Sequence, residues 1–199
     1  MINYPNGKAV KKSGESVKIP VNKKRSLLSA KNRGMQLESD INQSNEYYLE
    51  KNLCLVTKRP TPINIVKVDY SKGAKITDAY FEKQSTTDYN GVYKGRYLDF
   101  EAKSTESKSS FPLANITAHQ LKHIAKVIEH GGIAFFIIEF KTRDEEVYLV
   151  DAKFILNFIK DNKRKSIPYE DIKTYGHIIK RGYSPRLDYL PVIEEVYFK

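Results

Sequence analysis

Between Tyr97 and Lys103 apolar and polar residues alternate, with Leu98, Phe100 and Ala102 on one face of an extended strand and Tyr97, Asp99, Glu101 and Lys103 on the other. The apolar set can face a core, so Glu101 and Lys103 project together from the opposite side. Ile133 to Ile138 is an almost continuous apolar run, suited to a central strand buried on both faces, and Glu146 to Val150 adds another strand. Leu53 to Val56 predicts a short buried strand. Pro60 and Pro62 then break the chain, and Ile63 to Tyr70 and Ile76 to Phe81 predict two extended pieces around the turn Ser71 to Lys75.

Helical spacing appears elsewhere. A first helix is predicted from Asn32, with Met35, Leu37, Ile41, Tyr48 and Leu49 as its main apolar positions. A second opens at Thr117, carries Leu121, Ile124, Ala125 and Ile128, and ends at Gly131 and Gly132. Asp151 can cap a third bearing Phe154, Ile155, Phe158 and Ile159, and a last short helix holds Leu190, Ile193, Val196 and Tyr197. Ser104 to Ser110 predicts a polar loop. Strands interleaved with helices predict an α/β domain.

Composition narrows the partners. A formal charge of +10 and a pI near 9.4 suit a polyanion, because Lys and Arg bind nucleic acid mainly by neutralising phosphates. An anionic membrane surface is the rival. No apolar run approaches the roughly 20 residues of a membrane span, and the start lacks the apolar stretch of a signal peptide, so no membrane partner and a cytoplasmic location are expected. Cys54 is the only cysteine, which excludes an intrachain disulfide and a cysteine-based zinc cluster. Few large apolar residues lie between Lys8 and Lys31, so residues 1–31 are expected to form a flexible basic arm before a folded domain over 32–199.

The candidate chemistry follows from one turn. A hairpin turning at Lys94-Gly95 pairs residues whose numbers sum to 189, which sets Asp88 opposite Glu101 and Thr86 opposite Lys103. Directly paired residues have Cβ atoms roughly 4.5–5.5 Å apart, so the two carboxylates could share a small hard cation such as Mg2+. Asn90-Gly91 is the stronger turn dipeptide, and a turn there would pair Asp88 with Tyr93 and scatter the acids. The first register is preferred because it alone gathers them. Such an ion activates water and polarises a phosphoryl oxygen, and Lys103 can stabilise the developing charge or orient the water, which together amount to phosphodiester hydrolysis. A solvated charged face on an edge strand is the plainer alternative. Thr117-x-x-Gln120 fits a helix capping box. His119 and His123 have helical zinc-ligand spacing, but with no third ligand nearby they read as a polar helix face.

Asp88 followed by Glu101-Ala102-Lys103 resembles the acidic and lysine motif of restriction-endonuclease-like nucleases. The longer strings Ser85 to Gly91, Lys94 to Tyr97 and Asp99 to Lys103 resemble the RecU family of Holliday junction resolvases, as do Met1 to Gly7, Asn32 to Met35 and Pro60 to Pro62. The resemblance covers nearly the whole chain. It implies a restriction-endonuclease-like core, a mixed central sheet flanked by helices with a protruding stalk at about 58–84. It also implies an Mg2+-dependent endonuclease, with Mn2+ able to substitute, that cleaves four-way junction DNA in recombination and repair. Asp88, Glu101 and Lys103 would be catalytic, and Thr86, Asp88, Glu101 and Gln120 would hold the metal. Glu38 stands where related nucleases carry an acid that could reach the metal through water. Lys67, Lys72, Lys75 and Arg96 would contact DNA. A homodimer, with one active site per incision, and a link to the strand-exchange recombinase are further implications. The alternative is a non-catalytic junction-binding or recombinase-modulating protein.

Overall fold

The computed structural model describes residues 23–82 and 86–199, so the expected arm lies largely outside the described residues. Five helices are described: α1 (Lys23–Glu50), α2 (Ala118–Glu129), α3 (Ala152–Asp161), α4 (Tyr169–Tyr175) and α5 (Leu190–Tyr197). The strands are β1 (Leu55–Lys58), β2 (Ile63–Asp69), β3 (Lys75–Phe81), β4 (Tyr89–Tyr93), β5 (Arg96–Thr105), β6 (Ser110–Pro112), β7 (Ile133–Phe140), β8 (Glu146–Asp151), β9 (Ser166–Pro168), β10 (His177–Ile178), β11 (Lys180–Arg181) and β12 (Leu187–Asp188). Six of them form the central mixed sheet in the order β1-β4-β5-β7-β8-β10, with β5 and β7 parallel and the other neighbours antiparallel.

The β4–β5 hairpin turns at Lys94 (φ +46°) and Gly95 (φ +75°), both left-handed, as a type I′ turn requires. Its ladder runs from Tyr93↔Arg96 to Tyr89↔Phe100, the register that sums to 189. The rival Asn90-Gly91 turn does not form, and Gly91 serves a different purpose. A Cβ there would lie 2.1 Å from the Leu55 carbonyl oxygen and 2.7 Å from Val56 Cα, so glycine lets β1 close on β4. Gly91→Ala should therefore cost about 1–3 kcal/mol or more, because backbone rather than a flexible side chain must give way. Guanidinium unfolding checks this; an unchanged midpoint would contradict it.

Alternation on β5 and β7 divides the interior in two. Leu98, Phe100, Phe135 and Ile137 pack beneath α1 and α5, with Tyr89, Phe100 and Phe135 stacked at 4.9 and 4.6 Å across three strands. Ala134, Phe136 and Ile138 face the other way, against Ile124 of α2 and Ile155 of α3. That second face also carries Asp99, Glu101 and Lys103, and β7, apolar from Ile133 to Ile138, is buried on both sides as expected. Asp151 caps α3, its Oδ1 accepting Lys153 N–H at 2.7 Å.

Three expectations need correction. The strand expected at Leu53–Val56 lies at Leu55–Lys58 and is an edge strand covered on one side only: Cys54 and Val56 are buried, while Leu53 and Leu55 are about half exposed. The loop expected from Ser104 begins later, because β7 pairs with β5 as far as Thr105↔Phe140. Helix α1 begins at Lys23 rather than Asn32, in a stretch without Gly or Pro before Gly34. Of its expected apolar positions Leu37, Ile41 and Tyr48 are buried, and Met35 and Leu49 are exposed.

The two extended pieces around Ser71–Lys75 form a separate two-stranded antiparallel hairpin, β2–β3, with Ile63 opposite Phe81. Its faces are largely open, and Ile65, Val66, Tyr80 and Phe81 are all more than half exposed. Among the described residues no helix is long and apolar enough to cross a membrane.

Candidate active site

The β4–β5 register carries Asp88 to the side of Glu101. The Asp88 backbone N–H donates to Glu101 Oε2 at 3.0 Å, and Asp88 Oδ2 accepts the Ala102 N–H at 3.1 Å. Lys103 Nζ, on the same face of β5, lies 2.6 Å from Glu101 Oε1. Glu101 is 1% exposed and Lys103 about a quarter exposed, so the acid sits at the bottom of the site and the ammonium at its mouth.

Burial first, and the neighbouring Asp88 second, push the Glu101 carboxyl up to about 7, against the pull of Lys103. Asp88 is also raised, chiefly by burial, while the Ala102 N–H and Lys103 act in the opposite direction. A buried Glu101 beside a half-buried Asp88, with the Lys103 ammonium on Glu101, holds more negative charge than it can comfortably ionise, and a cation relieves that excess.

Gln120 forms the expected cap and also reaches Glu101. Its Oε1 accepts the Thr117 N–H and the Thr117 hydroxyl, each at 3.0 Å, which completes the cap of α2. Its Nε2 donates to Glu101 Oε1 at 2.6 Å. In this arrangement the amide orients Glu101 while its carbonyl is occupied by the cap. Thr86 Oγ1 is buried without a hydrogen-bond partner, an acceptor left over beside Asp88.

Glu38 on α1 pairs with Lys58 at 2.5 Å, and its carbonyl accepts the Tyr89 hydroxyl; its charge is felt at Asp88. Lys67, Lys72 and Lys75 lie exposed on the β2–β3 hairpin, away from the carboxylates along the chain. Arg96 is at the opposite end of β5 from Lys103. Its guanidinium donates to the Tyr197 and Gly131 carbonyls and covers Phe198, so it ties α5 and the end of α2 to the sheet. The His pair separates: His119 meets Thr117, and His123 meets Asp99. Among the described residues no group of three or more His, Cys, Asp or Glu side chains forms a metal cluster, so any ion needs donors besides the two carboxylates.

Asp99 is the residue that sequence patterning passed over. It is fully buried two positions before Glu101, on the same face, and it gathers Arg59, Thr87, Tyr97 and His123. The alternation that picked out Glu101 also carried Asp99, but its four partners are scattered over 65 positions, from Arg59 to His123. At the mouth of the site, a cleft of about 520 Å3 runs from Lys103 past Ser104, Ser107, Asn115 and Lys141.

The family model for recombination protein U, RecU, matches residues 32–195. The Holliday junction resolvase RecU of Bacillus cereus (strain AH820) is 50% identical over 202 residues, covering 99% of this chain and 98% of the relative. The same figures hold for the Holliday junction resolvase RecU of Bacillus thuringiensis subsp. konkukian (strain 97-27). The solved structure of Hjc, a Holliday junction resolvase from Archaeoglobus fulgidus, is similar with a TM-score of 0.43 and 12% identity, over 73% of this chain and 95% of that one.

Proposed function

This chain belongs to the RecU family, and we propose that it is a Holliday junction resolvase, a metal-dependent endonuclease that hydrolyses phosphodiesters of four-way junction DNA in recombination and repair. The observation that carries the reading to particular atoms is the convergence of Asp88, Glu101 and Lys103 on one face beside α2. On this proposal the fold is the restriction-endonuclease-like core, and the β2–β3 hairpin is its stalk.

Asp88 and Glu101 hold the ion, with the spare Thr86 hydroxyl as a further oxygen donor and Gln120 as the group that aims Glu101. The donor set is all oxygen and two carboxylates strong, which suits Mg2+, with Mn2+ as a substitute. When bound, such an ion supplies a more acidic water and a polarised phosphoryl oxygen. Lys103, held at the mouth by Glu101, faces the incoming phosphate; its ammonium balances charge developing on the phosphoryl oxygens and orients the attacking water. The cleft beyond Lys103 gives the DNA backbone a polar path with a second ammonium, Lys141, on its wall. Glu38, already paired with Lys58, acts on Asp88 only through its field.

Lys67, Lys72 and Lys75 give the hairpin a row of cations for phosphate, whereas Arg96 is engaged in holding α5 and contributes little to DNA binding. Two symmetric incisions call for a homodimer. The work is cytoplasmic, and contact with the strand-exchange recombinase falls to the basic arm. The deciding experiment incubates a labelled four-way junction and its linear arms with the protein, with and without Mg2+. Paired nicks in the junction alone, lost on chelation, are expected; tight binding without cleavage under any divalent ion would favour a non-catalytic junction-binding protein.

A further inference from the structure

The β2–β3 hairpin joins the sheet through two roots, one at Arg59 and one at Thr87, and both roots end on the same carboxylate. Thr87 Oγ1 donates to Asp99 Oδ1 at 2.5 Å, and Arg59 Nη2 donates to Asp99 Oδ2 at 2.8 Å. The Tyr97 hydroxyl and His123 Nε2 complete the shell at 2.9 Å each. Arg59 closes a second loop, since its backbone N–H donates to the Asp88 carbonyl at 2.7 Å. Asp88 is thus gripped twice through Asp99: from its neighbour Thr87, and from the residue that holds its own carbonyl. A buried, fully paired carboxylate adds little stability over an apolar side chain of similar size, but it fixes direction and register.

We infer that Asp99 is a positioning residue for cleavage, one that fixes the Asp88 carboxylate through Thr87 and Arg59 and so makes the catalytic segment and both roots of the hairpin a single rigid unit. The inference rests on the resolvase reading for its activity readout, though not for its metal readout.

Thr87→Val removes one hydrogen bond from Asp99 while keeping side-chain shape, and it cuts one of the two ties between Asp99 and the Asp88 segment. Tyr97→Phe also removes one hydrogen bond from Asp99, together with a 3.2 Å contact to Arg59, but leaves that segment tied. Thr87→Val should lower kcat on a four-way junction about tenfold, because small misplacements of a reacting group are costly, at unchanged junction Kd measured in Ca2+. Tyr97→Phe should stay near wild type, and Thr87→Ser should restore the rate. In DNA-free calorimetry, Mn2+ should bind more weakly to Thr87→Val and as in wild type to Tyr97→Phe. Arg59→Gln loosens the other root and should give the same split, which serves if Thr87→Val does not fold. Wild-type rate and Mn2+ affinity in Thr87→Val would overturn the inference. So would equal losses in Thr87→Val and Tyr97→Phe that track equal falls in Tm. A wild type that does not cut would count against the resolvase reading, and the Mn2+ titration would still judge Asp99.

Discussion

Asp88→Asn is expected to reduce junction cleavage by a factor on the order of 10³ or more, while junction binding and the fold persist. The loss follows from chemistry rather than shape. Asn keeps an oxygen for the Ala102 N–H but supplies no charge, so the pair of carboxylates becomes a single one. An interaction realised at the reacting centre commonly carries about 2.7–4 kcal/mol of barrier, which at 1.36 kcal/mol per tenfold is two to three decades; loss of a ligand to the ion adds to it. The fold should not suffer, because burial raises both carboxyls and Asp88 raises Glu101 further, so a neutral side chain at 88 relieves Glu101. The variant should therefore melt no lower than wild type at pH 8. Incision of an immobile junction in Mg2+, beside gel-shift binding in chelator, measures both halves. Cleavage within tenfold of wild type would remove Asp88 from the reaction, and lost binding would mean that the substitution acts through structure.

How much of this could be read from the chain depends on how local each signal is. The β4–β5 hairpin was legible because a seven-residue alternation marks β5 and only a turn at Lys94-Gly95 brings Asp88 to Glu101, although Asn90-Gly91 is the stronger turn dipeptide. The burial of β7 was legible because Ile133 to Ile138 is apolar at every position. Exposure of Leu55 was not, since a short apolar run does not say whether its strand is at the edge or the centre, and among the described residues β1 has no neighbour beyond it. Helix α4 and the short pairs β6–β9 and β11–β12 carry too few residues for a period to emerge. Gln120 carried a cap by its spacing and a metal ligand by the family resemblance; the cap forms through its oxygen, and its contact with Glu101 through the amide nitrogen depends on tertiary packing that spacing does not show. Asp99 lay in plain view on the right face. Its meaning depended on Arg59 and His123 closing over it, which is a tertiary fact.

Arg181→Met is expected to destabilise the fold by about 3–5 kcal/mol, as is usual when one member of a buried ionic group is removed. Arg181 Nη1 lies 2.6 Å from Asp40 Oδ2 and Nη2 lies 2.6 Å from Glu139 Oε1, and both carboxylates are almost fully buried. Its Nε also donates to the Glu145 carbonyl at 3.1 Å. The remaining cations are more distant, Arg186 at 3.6 Å from Asp40 and Lys141 at 3.8 Å from Glu139, so they soften the loss without replacing the fork. Arg181 is itself partly exposed, which argues for the lower end of the range. The pH dependence identifies the cause. Burial already raises the Glu139 carboxyl, with Lys141 and Arg181 opposing, and removal of Arg181 raises it further. A carboxyl raised in the folded state binds more protons there than in the unfolded chain, so its contribution to stability is present at low pH and is lost as pH rises through the folded value. The deficit of the variant should accordingly be smaller at pH 5 than at pH 8 in urea unfolding. Glu139 sits on the opposite face of β7 from the residues beside Lys103, so cleavage per folded molecule should be retained. A deficit that is constant across pH would mean that Arg181 stabilises by packing its aliphatic stem rather than by holding two buried charges.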